Sequence, residues 1–271
     1  MSAGLSVVTP SYDDLENLCM TLDSLEHELG QNDELVVIDS SEASAKARET
    51  VLGRRFACSV KYVWTKPEGV YQAQNAGIRL ATKDWVEIIN AGDCMCRGAR
   101  REIREAIKAH PQVDIHVFGG GAFLKGGSSY VFTPSAAGVW PHQSIIVRGS
   151  VYEVDGVYDA TYRYAADQVY FARARKRRTW KIHPFILTEF LLGGRSSGIT
   201  VKHLRENYAL RRALGAGAAR AAATGIVFPV FRYLLERTIG HERVLKLKCL
   251  LFGHYRLDIP QRRGREPEIR R

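Results

Sequence analysis

"WVEIINAGDCMC" (85–96) decides how the chain is read. Trp85, Val86, Ile88 and Ile89 have the make-up of a buried strand. The run stops at Asn90-Ala91-Gly92, and Asp93 follows at once. A carboxylate at a strand end suits a hard divalent cation, because Mg2+ and Mn2+ take oxygen ligands and share them between a carboxylate or two and substrate phosphates. The same residues also suit a turn or a helix N-cap. Cys94 and Cys96 form C-x-C with no second Cys/His pair nearby, which is not a zinc spacing. They read as reduced thiols that fill space.

Working outward, "LSVVTP" (5–10), "ELVVIDSS" (34–41), "VKYVW" (60–64), "DWVEIIN" (84–90) and "VDIHVFGG" (113–120) read as strands. Between them lie helical patterns. Residues 12–29 carry Leu15, Leu18, Cys19, Leu22, Leu25 and Leu29 at helical spacing; 69–82 and 98–109 are the others. Strands alternating with helices predict an α/β fold with a mostly parallel, Rossmann-like central sheet flanked by helices. Ligands of such sheets sit beyond the carboxyl ends of the strands. That rule picks out Thr9 to Tyr12, Asp39 to Ser41, and Asn90 to Asp93.

Asp39 suits a contact to a base or ribose, or a turn before Ser40 and Ser41. Residues 120–200 are less regular, with a hairpin expected near 122–133. Asp167 in "YRYAADQVYF" precedes a helix, so it is either an N-cap or a general base taking a proton from a hydroxyl. His142 in "WPHQS" is a second candidate base, or a structural or binding residue. Gly119 to Gly121 do not complete a phosphate-loop pattern.

Charge divides the 271 residues. Residues 1–170 hold 16 Lys/Arg against 22 Asp/Glu, and residues 171–271 hold 23 against 7, which together give the net +10. The five scattered cysteines include no C-x-x-C pair and predict a reducing, cytoplasmic setting. No charged leader is expected at the N-terminus, and no simple membrane span, since "AAATGIVFPVFRYLL" (221–235) is cut by Pro229 and Arg232. The basic third predicts a polyanionic partner. A membrane interface suits its broken apolar stretches; a soluble helical subdomain or an oligomer interface is the alternative. No nucleic-acid motif is present, so no nucleic-acid partner is expected.

Taken in order, "LSVVTPSYDDLENLCMTLDSL", "ELVVIDSS", "KPEGVYQAQNAGIRLATKDWVEIINAGD", "WPHQSIIVR" and "YRYAADQVYF" resemble family 2 glycosyltransferases of the GT-A fold. The likeness is to small bacterial members that build capsular or exopolysaccharide repeats and glycolipid glycans. It covers about residues 5–200. It implies a GT-A domain over 1–200; beyond it, composition predicts a basic helical segment over 201–258 that suits membrane association, and a basic tail over 259–271.

The resemblance also implies roles. Thr9, Pro10 and Tyr12 would line a nucleotide pocket, Asp39 would hold the donor's base or ribose, and Gly69, Gln72 and Asn75 would lie beside the nucleotide. Asn90, Ala91 and Gly92 stand, with Asp93, where the family has its D-x-D-type motif, so Asp93 would bind Mn2+ or Mg2+ on the donor diphosphate. Ala91 replaces the motif's first acid. Gln72 stands where an Asp is common, and Asp39 is followed by Ser-Ser where Gly-Ser is usual. Asp167 matches the catalytic base of inverting members, and His142 and Gln143 match a pair on the acceptor side. The implied partners are a nucleotide-diphospho-sugar donor and a glycan or lipid-linked acceptor, at the inner face of the plasma membrane. Rival readings are a nucleotidyltransferase, which would want a basic glycine-rich loop near the first strand, and a non-catalytic glycosyltransferase-like binding subunit.

Overall fold

The computed structural model describes residues 3–123, 129–132, 134, 140–191, 200–240, 243–244, 247 and 255–257. Strands β1 (Leu5–Ser11) and β2 (Glu34–Asp39) are buried along their whole length. That is why both read as continuous apolar runs rather than alternating ones: a parallel strand covered on both faces has no solvent side. β3 (Ser59–Trp64) is the half-exposed edge, and β4 (Trp85–Ile88) lies on the other side of β1. The order β4-β1-β2-β3 is parallel throughout. Ser11, Asp39 and Trp64 pair across it, so the carboxyl ends of three strands are level.

Beyond β4 the sheet changes direction. β6 (Ile115–Phe123) and β7 (Ser129–Phe132) form the expected hairpin. β8 (Ile145–Arg148) enters antiparallel between β4 and β6, and β9 (Trp180–Leu191) runs parallel to β6. Cys94–Met95 is itself a two-residue strand, β5, paired with β9. A last strand, β10 (Tyr255–Leu257), pairs with β7. Gly119 to Gly121 lie inside β6, not in a loop.

Helices α1 (Leu15–Glu26), α2 (Ser44–Leu52), α3 (Val70–Leu80) and α4 (Ala99–Ala109) cover the sheet. The α1 pattern works as the spacing predicts: Leu18, Leu22 and Leu25 are fully buried, and Asp14 caps the helix through the amide of Asn17 at 3.1 Å. Along β4 and the residue just past it, Trp85 and Ile89 face one core with Val7, Leu18, Leu22 and Ile103. Val86 and Ile88 face the other, with Val8, Ile38, Ile78 and Trp140. Each such aliphatic side chain contributes about 1.5–3 kcal/mol on burial. α3 approaches the sheet at Gly77, where a Cβ would come 2.2 Å from Val8 Cγ1. Glu87, also on β4, is wholly buried; desolvation pushes its carboxyl well above the usual range against the pull of Arg100.

α5 (Gly149–Asp155) and α6 (Ala166–Ala174) complete the first 200 residues, and α7 (Val201–Ala213) packs on α6. After it, α8 (Ala218–Ala222), a π-helical turn (Ala223–Val227) and α9 (Phe228–Ile239) run on as one helix. This corrects the expectation that Pro229 and Arg232 break the segment. Pro229 sits in the first turn of α9, directly after the π-helical turn, where a missing N–H is absorbed by the shifted hydrogen-bond register. By length and composition alone, Ala218–Ile239 is long and apolar enough to cross a membrane. Cys249 and the tail at 259–271 lie outside the described residues.

Candidate active site

Asn90 to Asp93 form a turn just past β4, held from three sides. The Ala91 amide donates to Pro10 O of β1 (3.0 Å), the Gly92 amide to Asn17 O of α1 (3.1 Å), and the Asp93 amide back to Asn90 O (2.9 Å). Thr21 of α1, fully buried, does most of the anchoring. Its hydroxyl donates to Asp93 O (2.7 Å) and accepts from the Gly92 amide (2.9 Å). Gly92 has φ of 102°, a left-handed conformation that disfavours any residue with a Cβ. The turn is therefore built by sequence-distant groups. Cys94 and Met95 beyond it are buried in β5, and the four described cysteines form no disulfide among the described residues.

Four side chains meet at this turn. His142 opens a 3-10 turn (His142–Ser144) that leads into β8, and Asp167 lies in the first turn of α6. The N-cap of α6 is Ala165, so the capping alternative for Asp167 does not apply. Its Oδ2 is 3.1 Å from His142 Nδ1 and accepts from Gln168 Nε2 at 3.0 Å; its Oδ1 accepts from Tyr71 OH at 2.7 Å. His142 Nε2 is 3.0 Å from Asn90 Nδ2, and Asn90 Oδ1 accepts from Gln74 Nε2 at 2.9 Å. A chain of contacts thus runs Gln74–Asn90–His142–Asp167. With the proton on Nδ1 of a neutral imidazole, every link has a donor and an acceptor. Turning both amides over fits the imidazolium equally well. Gln74 Oε1, which is buried and has no hydrogen-bond partner among the described residues, would then receive the Asn90 amide.

The electrostatics agree with this layout. Burial alone would raise the Asp167 carboxyl. The hydrogen bond and charge of His142, with Tyr71 and Gln168, outweigh it and hold Asp167 below the usual carboxylate range. Burial opposes the charge on His142 too, but Asp167, and Asp93 behind it, draw its pKa above 6.5. Asp93 therefore acts on the same imidazole as Asp167. Among the described residues no three His, Cys, Asp or Glu side chains cluster closely enough to cage a metal ion. Asp93 offers one carboxylate at this turn, and carboxylate oxygen is the donor type that hard divalent cations take.

The other sequence-chosen residues divide. Tyr12 is 40 % exposed at the end of β1, and Gln72 is exposed on α3. Thr9 and Asp39 are fully buried. The Asp39 carboxylate accepts from Ser41 Oγ (2.6 Å) and Tyr62 OH (2.6 Å). Asn75 is spent on the backbone of Tyr158, donating to its carbonyl (2.8 Å) and accepting from its amide (3.0 Å). Gly69, at φ 110°, is the N-cap residue of α3. Gln143 is half-buried in the same turn as His142.

Sequence reasoning missed Thr21, Tyr71, Gln74 and Glu206. On α3 the buried face is Tyr71, Gln74, Asn75 and Ile78, at spacings of three and four; that periodicity places Gln74 inside and Gln72 outside. Glu206 of α7 accepts from the amides of Arg163 (2.8 Å), Tyr164 (2.6 Å) and Ala165 (3.2 Å), just before the helix that carries Asp167.

Residues 6–125 match the family model "Glycosyl transferase family 2". The amylovoran biosynthesis glycosyltransferase AmsB of Erwinia amylovora is 35% identical over 92 residues, 32% of this chain and 30% of that protein's length. Among solved structures, S. aureus TarS 1–349 in complex with UDP-GlcNAc superposes with a TM-score of 0.61 at 15% identity, over 91% of this chain and 76% of TarS 1–349. The mannosyltransferase PcManGT from Pyrobaculum calidifontis, in complex with GDP-Man and Mn2+, gives 0.59 at 16% identity, over 91% and 78%. The family match ends before His142 and Asp167. Over residues 6–125 the chain is thus similar to glycosyl transferase family 2, and its α/β sheet is built as in these GT-A structures.

Proposed function

We propose that the protein transfers a sugar from a nucleotide-diphospho-sugar to a hydroxyl of a glycan or lipid-linked acceptor, with inversion at the anomeric carbon. The observation that carries this is the convergence of Asn90, Asp93, His142 and Asp167 from three separate segments onto the carboxyl end of the sheet, with Asp167 held ionised. The donor class is supported by the UDP-GlcNAc and GDP-Man that TarS and PcManGT bind.

In this reading Asp167 takes the proton of the attacking hydroxyl on Oδ1, which keeps a lone pair beside the bond from Tyr71, while Oδ2 is held by His142 and Gln168. One attack from the face opposite the leaving diphosphate inverts the configuration. His142 and Gln143 line the acceptor side, and His142 also fixes the orientation of Asp167. Tyr12, with Thr9 and Pro10 beneath it, borders the nucleotide. Asp39 shapes that border through Ser41 and Tyr62, and Gly69, Gln72 and Asn75 bring α3 alongside. Asp93 is the residue that would hold Mn2+ or Mg2+, next to Asn90, Ala91 and Gly92. Such a cation, when bound, neutralises the charge that builds on the departing diphosphate.

A thermal-shift screen of UDP-GlcNAc and GDP-Man with Mn2+, followed by donor turnover, tests the reading. One donor should raise the midpoint and be consumed, and Asp93→Ala should abolish both the Mn2+ dependence and the turnover. A donor that binds but is never consumed would point instead to a binding subunit.

A further inference from the structure

We propose that the stripe Val227, Phe228, Phe231 and Leu234 is a docking face for an anionic lipid bilayer, with the helix lying along the membrane surface.

These four side chains are 63%, 56%, 60% and 56% exposed. Their spacing of four and three residues puts them on one side of the helix. Single exposed apolar residues are ordinary on a protein surface, but a contiguous stripe of large ones marks an interaction face. Nothing else in the described chain covers it, since α9 buries none of its residues.

The rest of the helix shows why the stripe faces outward. At the π-helical turn, Gly225 is pressed against the backbone of α7; a Cβ there would come 2.9 Å from Tyr208 N. That contact fixes one side of the helix to the body and leaves the opposite side open. α7 is in turn bound through Glu206 to the loop before α6. The stripe therefore sits on a fixed arm, not on a loose end.

Charge selects the occupant. Within Ala218–Ile239 the charged residues are Arg220, Arg232, Arg237 and Glu236. Arg220 and Arg237 are exposed, while Arg232 is 3.5 Å from Glu236. α7 carries Arg211 and Arg212 in its last turn. Residues 171–271 hold 23 Lys/Arg against 7 Asp/Glu. Large apolar side chains flanked by arginines match the headgroup and acyl boundary of an anionic leaflet. A second copy of this chain would bring the same positive charge to the contact and is disfavoured. A helix crossing the bilayer would have to carry Arg232 and Glu236 through its core.

Vesicle flotation with the full chain tests this. Phosphatidylcholine vesicles containing phosphatidylglycerol should carry the protein up the gradient, and pure phosphatidylcholine or high salt should reduce binding several-fold. Phe228→Ser with Phe231→Ser should cut binding by about tenfold or more, with the thermal midpoint retained; Val154→Ser, at another exposed site (72%), should leave it unchanged. Three results would overturn the proposal. One is no flotation by the wild-type chain. Another is a lipid-free dimer that the same double variant dissociates, which would make the face an interface between copies. The third is resistance to alkaline carbonate extraction, which would make the helix a span. None of these readouts depends on sugar transfer.

Discussion

β1 and β2 bury all of their residues; α9 buries none. The two regions differ in charge as well, with an excess of acids up to residue 170 and a large excess of bases after it. A buried parallel strand gains its stability inside the molecule, so its sequence must be apolar on both faces. A helix with an open apolar stripe has not finished burying its surface, and its sequence can be read only together with what covers it. The functional side chains sit at the rim of the first region. The second region reaches toward them through Glu206, which gathers the three amides just before α6, the helix that carries Asp167.

The difference can be broken first at the sheet. Arg100 donates to both oxygens of Asp33 from Nε and again from Nη2 at 2.7 Å, and both residues are buried. Asp33→Ala leaves a buried guanidinium unpaired and should cost about 3–5 kcal/mol in a denaturant titration. Glu206→Gln tests the joint between the regions. The new amide cannot accept from all three N–H groups as a carboxylate does, so about 1–3 kcal/mol of stability should go. Because the loop carries Asp167 and not the nucleotide border, kcat should fall while the donor KM holds. Phe228→Ser with Phe231→Ser, on the open face, should change stability by no more than about 0.5 kcal/mol.

Two predictions concern pH. Burial, helped by His183 and His110, pushes His116 down to about 3; His183 is pushed to about 4 by burial, His110 and Lys181. In the unfolded chain histidine titrates near 6.5. Between that value and about 4 the unfolded state binds more protons, so stability should fall as the pH drops through this window, and His116→Phe should flatten the slope. In the active site the sign is different. Asp167 owes its lowered pKa in part to His142. In His142→Gln the acid limb of kcat/KM should therefore move to higher pH.

The first region was legible because its signals are local. Continuous apolar runs gave β1 to β4, helical spacing gave α1, α3 and α4, and the strand-end rule pointed to Asn90–Asp93. What was not legible depends on distance along the chain. Tyr71 and Asp167 are 96 residues apart, and Thr21 and Asp93 are 72 apart; no period links them. β5 is two residues long, too short to show alternation, so the strand left no trace in the sequence, although Cys94 is buried there as its packing role predicts. Gln72 was chosen over Gln74 by position in a motif, although helix periodicity puts Gln74 on the buried face. The C-terminal helix was read as interrupted because Pro229 usually ends a helix, and the π-helical turn that accommodates it leaves no sequence signal.

The central claim is that Asp167 is the base of a single displacement. The direct test is the turnover number of Asp167→Asn with the donor found by screening and Mn2+ present. Asparagine keeps the shape of the side chain but cannot accept the proton. A fall of about 10²- to 10⁴-fold in kcat, with donor binding retained, is the predicted result. Near-normal turnover in that variant would contradict the account.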